Sequence, residues 1–284
     1  MDTRPLPDHR GVTRPEALTA LRLAALGALV DFLEARLEAG PVAAPSRLED
    51  LSLLHLAKAT GTTASALSLI ADRRWPDACI LARAVFEQLF IYLWVVQDPQ
   101  KAEARSTMVT IKQEWANAKY LEGLAANAGP AAEPELLAEA ARYRAVAEGM
   151  LEALATALGT TEKKVRDEAT KRVSLKAIEV NLGPAFSLPY AHYSGFVHSD
   201  GNALAAYGAA SPGGRRYGSR GLAPVALPVA RDLHRALLRL AGEVLTRCPR
   251  LAWPGAGAYF EAHAAWLAAV DAQDDFPLAA ERET

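Results

Sequence analysis

The segment ACILARAVFEQLFIYLWVV, residues 78–96, decides the fold of this 284-residue chain. Arg83 and Glu87 are the only formal charges in the segment, and Gln88 follows them directly. A run of this length is long enough to cross a bilayer. The three polar side chains would be costly in lipid, however. The pattern therefore predicts a buried core helix.

Working outward, the same helical pattern continues on both sides. Prolines at positions 76 and 99 fix the ends of the central helix, because a proline disfavours helical geometry in the residue before it. Runs of β-branched residues with period two do not persist, and alanine and leucine dominate. We predict an all-α fold, a single helical bundle of about eight helices over residues 14–272. A flexible N-terminus (1–13) and a flexible acidic tail (273–284) should flank it. The clearest predicted helices are residues 15–39, 48–72, 76–98, 101–127, 133–158, 174–182, 223–248 and 258–272.

Composition excludes several classes of protein. Thirty-one Lys and Arg residues oppose 33 Asp and Glu, so a formal net charge of −2 gives no global attraction to nucleic acid or anionic membranes. Cys79 and Cys248 lie far apart, outside zinc-ligand spacings, so we expect no metal and no other cofactor. The N-terminal sixteen residues lack the apolar run of a signal peptide. We expect a cytoplasmic protein that does not bind membranes.

The first candidate site is the pair Arg83 and Glu87. Residues four apart lie on the same face of a helix, so the two side chains can pair. One interpretation is purely structural: the pair ties helices together through buried hydrogen bonds. The other is that Gln88 and Tyr92, also four apart, extend the pair into a polar seam that lines a groove.

The second candidate site is the segment LPYAHYSGFVHSDGNAL, residues 188–204. If this segment is helical, Tyr190, Ser194 and His198 fall at i, i+4 and i+8 and share one face. We expect this face to meet Arg83 and Glu87. The histidines could be hydrogen-bonded structural residues, or His198 could transfer protons while a nearby carboxylate fixes its tautomer. The other candidate binding residues of the segment are His192, Asp200 and Asn202.

Two further features leave alternatives open. The segment SPGGRRYGSRG, residues 211–221, predicts a mobile loop in which Arg215 and Arg216 could contact phosphates. In the last helix, Tyr259, Phe260 and Trp266 form an aromatic face. That face could pack on the chain's own core or on a second copy in a homodimer.

Together, the motifs AR-x-x-x-E around Arg83 and Glu87 and Y-x-x-x-S-x-x-x-H from Tyr190 to His198 resemble those of a bacterial family of unknown function, over roughly residues 50–205. The same features are distantly similar to the HEPN superfamily. Its members are helical bundles that include RNA-cleaving toxins and phage-defence effectors. The resemblance implies a HEPN-like four-helix core with extra helices.

The HEPN resemblance implies a metal-independent endoribonuclease in which His198 is the general acid or base. Active members carry an arginine four to six residues before the histidine. That part of this sequence offers His192, so Arg83 would supply the positive charge and Glu87 would orient it. RNA and a cognate antitoxin are then the expected partners. The alternative is a non-catalytic helical module that binds a protein partner or a small ligand through the same groove.

Overall fold

The computed structural model describes residues 4–12, 14–40, 46–198, 208–211, 214–217, 226–251 and 253–274. These residues form ten α-helices, one short 3-10 turn at Pro249–Leu251 and one two-stranded hairpin. The all-α prediction is confirmed, and the helix boundaries fall close to the predicted ones. The helices are α1 Pro15–Leu37, α2 Arg47–Ala71, α3 Trp75–Val96, α4 Ala102–Ala125, α5 Glu133–Ala157, α6 Glu162–Thr170, α7 Val173–Val180, α8 Pro184–His198, α9 Ala226–Arg247 and α10 Ala256–Asp274.

Side-chain caps explain where two of the helices begin. At the start of α2, the Ser46 hydroxyl accepts a hydrogen bond from the Glu49 backbone N–H at 3.2 Å, and the Glu49 carboxylate accepts one from the Ser46 N–H at 2.8 Å. This reciprocal pair satisfies two donors that the helix leaves without partners. Thr161 caps α6 with one hydrogen bond, which its hydroxyl accepts from the Lys164 backbone N–H at 3.4 Å.

The glycine- and arginine-rich segment is not the loop that the sequence predicted. Strands β1 (Gly208–Ser211) and β2 (Gly214–Tyr217) pair antiparallel, and Ser211 lies opposite Gly214. Only two residues therefore connect the strands, and in the sequence they are Pro and Gly, a dipeptide typical of tight turns. Arg215 and Arg216 belong to β2. Residues 218–221 of the predicted loop lie outside the described residues.

The chain divides into two compact units, and the first comprises residues 1–92 and 181–284. In it α1, α2 and α9 pack on one another, and α10 packs against α9. The aromatic face of α10 packs on the chain's own core. Tyr259 stacks on Phe32 of α1 with ring centroids 4.4 Å apart, and its hydroxyl donates to the Ala28 carbonyl at 3.0 Å. These buried rings are not available to a second copy, and dimerisation stays a prediction.

Among the described residues, α3 is the one helix long and apolar enough to cross a membrane by length and composition. Most of that apolar stretch, 61%, is buried inside the protein. Core helices of soluble proteins pass the same test, so the observation is weak evidence for a membrane span.

The second unit comprises residues 93–180. Helices α4 and α5 pack along each other as a helical hairpin, and α6 packs against both. Trp94 of this unit is fully buried: its indole N–H donates to Glu179 at 2.8 Å, and the Lys176 ammonium lies 3.9 Å from the ring centroid. Burial lowers the pKa of Lys176 to about 8. That residues 14–272 form one domain stays a prediction.

Candidate functional site

The charged pair on α3 forms as its spacing predicts. The Arg83 guanidinium contacts the Glu87 carboxylate with an Nη2–Oε1 distance of 2.8 Å. The two side chains are 21% and 25% exposed, so the pair lies neither in a sealed core nor free in solvent. Arginine precedes glutamate here, which is the less favourable order for stabilising a helix. The small stabilisation that the pair gives to α3 itself therefore does not explain why two charged residues occur here.

Helix α8 supplies further contacts to Arg83. The Arg83 Nε–H donates to the Ser194 hydroxyl at 3.2 Å, and that hydroxyl donates to the Tyr190 carbonyl at 2.8 Å. The Arg83 guanidinium carbon lies 5.7 Å from the centroid of the Tyr190 ring, within the range of a cation–π contact. Burial, with the nearby charge of Glu87, raises the pKa of Tyr190. The structure thus brings four predicted residues together, which we call the Arg83 cluster: Arg83, Glu87, Tyr190 and Ser194.

Aromatic contacts explain why α8 lies against α3 in this register. Phe90 meets the Tyr190 ring at 5.3 Å between centroids, while Trp75 meets Phe196 at 6.1 Å. Residues early in α3 therefore contact residues late in α8, so the two helices run antiparallel. His198, one turn beyond Ser194 and exposed, lies at the end of α8 that faces the start of α3, away from Glu87. Among the described residues, no hydrogen bond joins His198 to Arg83.

The proposed seam of Arg83, Glu87, Gln88 and Tyr92 does not form as one surface. Tyr92 is buried against α2, where its hydroxyl accepts a hydrogen bond from Ser52 at 3.1 Å. His55 of α2 lies beside it, and Gln88 is a polar neighbour of this imidazole. Burial lowers the pKa of His55 to about 4. Successive side chains of an α-helix point about 100° apart around its axis, so Gln88 faces a different neighbour from Glu87.

His192 belongs to another face of α8 as well. Its ring lies 5.5 Å from the rings of Tyr193 and Phe196, and it lines a cleft with Arg231, Asp232 and Arg235 rather than the Arg83 cluster. Two residues of helix separate side chains by about 200°, so His192 and Ser194 cannot share a face. Asp200 and Asn202 lie outside the described residues. Nothing is described of the Arg215 and Arg216 side chains.

A buried ion-pair network escaped the sequence prediction. The Tyr193 hydroxyl donates to Asp232 at 2.8 Å, and Arg231 donates to the other carboxylate oxygen at 3.1 Å. Burial, with the adjacent Asp232 charge, raises the pKa of Tyr193 far above its usual range. One signal was present: Asp232 lies with Val229 and Leu233 at i, i+3 and i+4 on the apolar stripe of α9. A carboxylate on such a stripe needs buried partners.

Among the described residues, no group of three or more His, Cys, Asp or Glu side chains could hold a metal ion. Cys79 and Cys248 are free and buried. Burial raises the pKa of the Cys79 thiol to about 12 and also raises the pKa of the Cys248 thiol, so neither position offers a reactive thiolate site of the usual kind.

Comparison with known proteins places this site in a family. The model of the family of unknown function DUF5677 matches residues 49–215, more than half of the chain. The chain belongs to this family. The match runs from the first turn of α2 into β2 and includes the whole Arg83 cluster and His198, whereas α9 and α10 lie beyond it. No curated protein and no solved structure matches the chain.

Replacing Ser194 with alanine should test whether the Arg83 cluster holds α8 on α3. The variant removes the acceptor of the Arg83 Nε–H, so we expect the free energy of unfolding to fall by about 1 kcal/mol. Ser187→Ala is the matched control: the Ser187 hydroxyl also donates to the carbonyl four residues earlier, at 3.1 Å, but within the described part of the chain it contacts no arginine. Urea denaturation of both variants measures the difference. If both variants lose the same free energy of unfolding, the hydrogen bond from Arg83 to Ser194 does not stabilise the fold.

Proposed function

We propose that this protein is a HEPN-like RNA-directed effector, a toxin or phage-defence protein that cleaves RNA without a metal. The observation that carries the proposal is the position of Arg83. Glu87 and Ser194 hold its guanidinium at a partly exposed place, on the face of α8 that leads one turn further to the exposed His198. Phosphodiester cleavage without a metal needs at least an oriented cation and an accessible imidazole. Ser194, which contacts the cation, precedes His198 by one turn of α8.

In this proposal His198 accepts the proton of the attacking ribose 2′-hydroxyl, or returns a proton to the leaving 5′-oxygen. Arg83 neutralises the negative charge that develops on the phosphate oxygens. Glu87 fixes the guanidinium through Nη2 and leaves Nη1 for the substrate. The two sequence motifs then contribute to one reaction. AR-x-x-x-E positions the cation, and Y-x-x-x-S-x-x-x-H positions the imidazole.

The test is cleavage of labelled RNA by the purified protein in the presence of a chelator. Wild type should cleave the RNA, and His198→Ala should lower the rate about a hundredfold or more, as loss of a general acid or base does. His192→Ala is the matched control, because it removes an exposed imidazole from another face of the same helix. Equal cleavage by wild type and His198→Ala, or cleavage by neither, would refute the proposal.

Growth of a bacterium that expresses the protein gives an independent readout. Under the proposal, induced expression is toxic in the cytoplasm and His198→Ala relieves the toxicity. A cognate antitoxin would be the natural protein partner. A homodimer is a further expectation, which the mass of the purified protein in solution tests.

One observation favours a second candidate, a non-catalytic helical module that binds a protein or small ligand. Arg83 already donates through Nε to Ser194, pairs through Nη2 with Glu87 and lies over the Tyr190 ring. Few of its donors are therefore left for a substrate. This candidate predicts no RNA cleavage. It also predicts that the effect of Arg83→Gln is a loss of stability alone.

A further inference from the structure

A cleft of about 410 Å³ lies between α8 and α9, on a different face of α8 from the Arg83 cluster. Its volume falls within the usual range for small-molecule sites. The polar residues that line it come from both helices and are His192, Tyr193, Arg231, Asp232 and Arg235. We call it the α8–α9 cleft. Its α8 wall lies inside the part of the chain that the family model matches, and its α9 wall lies beyond that part.

The two arginines lie four residues apart on α9, so they occupy one face of that helix. They are 32% and 29% exposed, which leaves both guanidiniums accessible from the cleft. Arg231 uses its Nε–H on Asp232 at 3.1 Å, and among the described residues its terminal nitrogens make no hydrogen bond. Arg235 pairs through Nη2 with Asp271, a carboxylate that also binds Arg22 at 2.8 Å.

The charges that line the cleft do not balance. Two guanidiniums face a single lining carboxylate, Asp232, whose side chain is only 4% exposed. That carboxylate is occupied from within, because the Tyr193 hydroxyl and the Arg231 Nε–H each donate to one of its oxygens. Asp232 therefore fixes the direction of Arg231 instead of competing for a ligand. When Asp271 and both of its arginine partners are counted as well, three guanidiniums oppose two carboxylates, so this part of the protein carries a net positive charge with oriented donors.

The rest of the wall is rigid and apolar. Pro184 and Pro189 of α8 and Pro228 of α9 line it, together with Leu188. Proline rings have few conformations to lose, so a ligand that rests on them causes little loss of conformational entropy. Pro189 also lacks an N–H, which leaves the carbonyl of the lining residue Ala185 without its helical donor. That oxygen can accept a hydrogen bond from a ligand.

We propose that the α8–α9 cleft binds a small phosphate monoester. The phosphate group takes hydrogen bonds from Arg231 and Arg235, with the His192 ring at its edge, and the organic part rests on Leu188 and the prolines. A phosphate monoester has three terminal oxygens, which suits two guanidiniums and an imidazole better than the two oxygens of a carboxylate. The inference does not rest on RNA cleavage and concerns a different face of α8.

Calorimetric titration of the full-length protein at constant ionic strength tests the cleft. The probes are AMP, adenosine and inorganic phosphate. Wild type should bind AMP saturably, bind inorganic phosphate more weakly and bind adenosine at least about tenfold more weakly than AMP, because adenosine lacks the charge-assisted hydrogen bonds. Benzoate, a carboxylate with an apolar body, should bind more weakly than AMP.

Substitutions on α8 and α9 locate the binding. Arg231→Gln and His192→Ala should each weaken AMP binding, the arginine variant by about tenfold or more. Arg239→Gln is the matched control, because it removes the same charge from the same helix two turns further on, outside this cleft. His192→Ala keeps the test valid if Arg231→Gln fails to fold, since His192 is exposed.

Three results would overturn the proposal. These are no saturable binding of AMP by wild type, tighter binding of adenosine or benzoate than of AMP, or equal losses in Arg239→Gln and Arg231→Gln. RNA cleavage bears on none of these results. A failure here and a failure of the proposed ribonuclease are therefore distinguishable.

Discussion

Replacing Asp232 with alanine should lower the free energy of unfolding by about 3 kcal/mol, the typical cost of removing one partner from a buried ion pair. The carboxylate is 4% exposed and accepts hydrogen bonds from the Tyr193 hydroxyl and from Arg231. Its removal leaves a phenol that is 1% exposed without an acceptor, and a half-buried guanidinium without its counter-ion. Urea denaturation measures the change.

Two variants show which part of that loss comes from burial. Tyr193→Phe removes only the hydroxyl and keeps the ion pair, so its free energy of unfolding should fall by about 1 kcal/mol. Glu243→Ala breaks a carboxylate–arginine pair on the same helix, with Arg239, where the side chains are 20% and 49% exposed. A more exposed pair contributes under about 1 kcal/mol. If Glu243→Ala costs as much as Asp232→Ala, the network does not hold α8 on α9.

The contact between α3 and α8 could be predicted because charged residues are unusual in a long apolar helix. Two charges in a long apolar helix need polar partners, and the segment from Tyr190 to His198 is the densest in donors and acceptors. A spacing of four then selects the contacting side chains, Tyr190 and Ser194. The register of two packed helices depends on aromatic packing, which spacing does not reveal. For this reason the position of His198 relative to Arg83 could not be predicted.

Other features could not be predicted for different physical reasons. Gln88 follows Glu87 in sequence, yet a turn of 100° gives it another neighbour, and only the packing of α2 on α3 identifies that neighbour as His55. The pair of Tyr193 and Asp232 spans 39 residues, and no local pattern specifies so distant a partner. The Pro-Gly dipeptide between β1 and β2 is a local turn signal, although the glycine- and arginine-rich composition around it predicts a loop.

A buried histidine pair in the first unit should make the protein acid-sensitive. His234 Nε2 and His263 Nδ1 lie 2.8 Å apart, and both rings are fully buried. A hydrogen bond at this distance needs one bare nitrogen, so the pair cannot hold protons on both facing atoms. The outer nitrogens of the two rings have no partner among the described residues. Charging either ring in the folded state is therefore unfavourable.

The direction of the pH effect follows from these pKa shifts. Burial lowers the pKa of His263 from 6.5 to about 4, and burial with the adjacent His263 lowers the pKa of His234 well below its usual value. Between pH 6.5 and 4 the unfolded chain therefore binds more protons than the folded one, so stability is lost as pH falls. His263 alone accounts for about 3 kcal/mol over this window. His55, whose pKa is also about 4, adds to the loss.

Urea denaturation between pH 7 and 4.5 should therefore show a free energy of unfolding that decreases with falling pH. The slope of the free energy of unfolding against pH reports how many more protons the unfolded chain binds. His263→Gln should lower this number by about one, because one titrating ring is gone while His55 and His234 remain. Ala262→Gln, an exposed neighbour on α10, introduces the same side chain without removing an imidazole and should keep the wild-type slope. The slope is the decisive readout, since His263→Gln also lowers stability at pH 7 through lost packing. A slope unchanged in His263→Gln would mean that His263 binds protons equally in the folded and unfolded chains, which contradicts the lowered pKa.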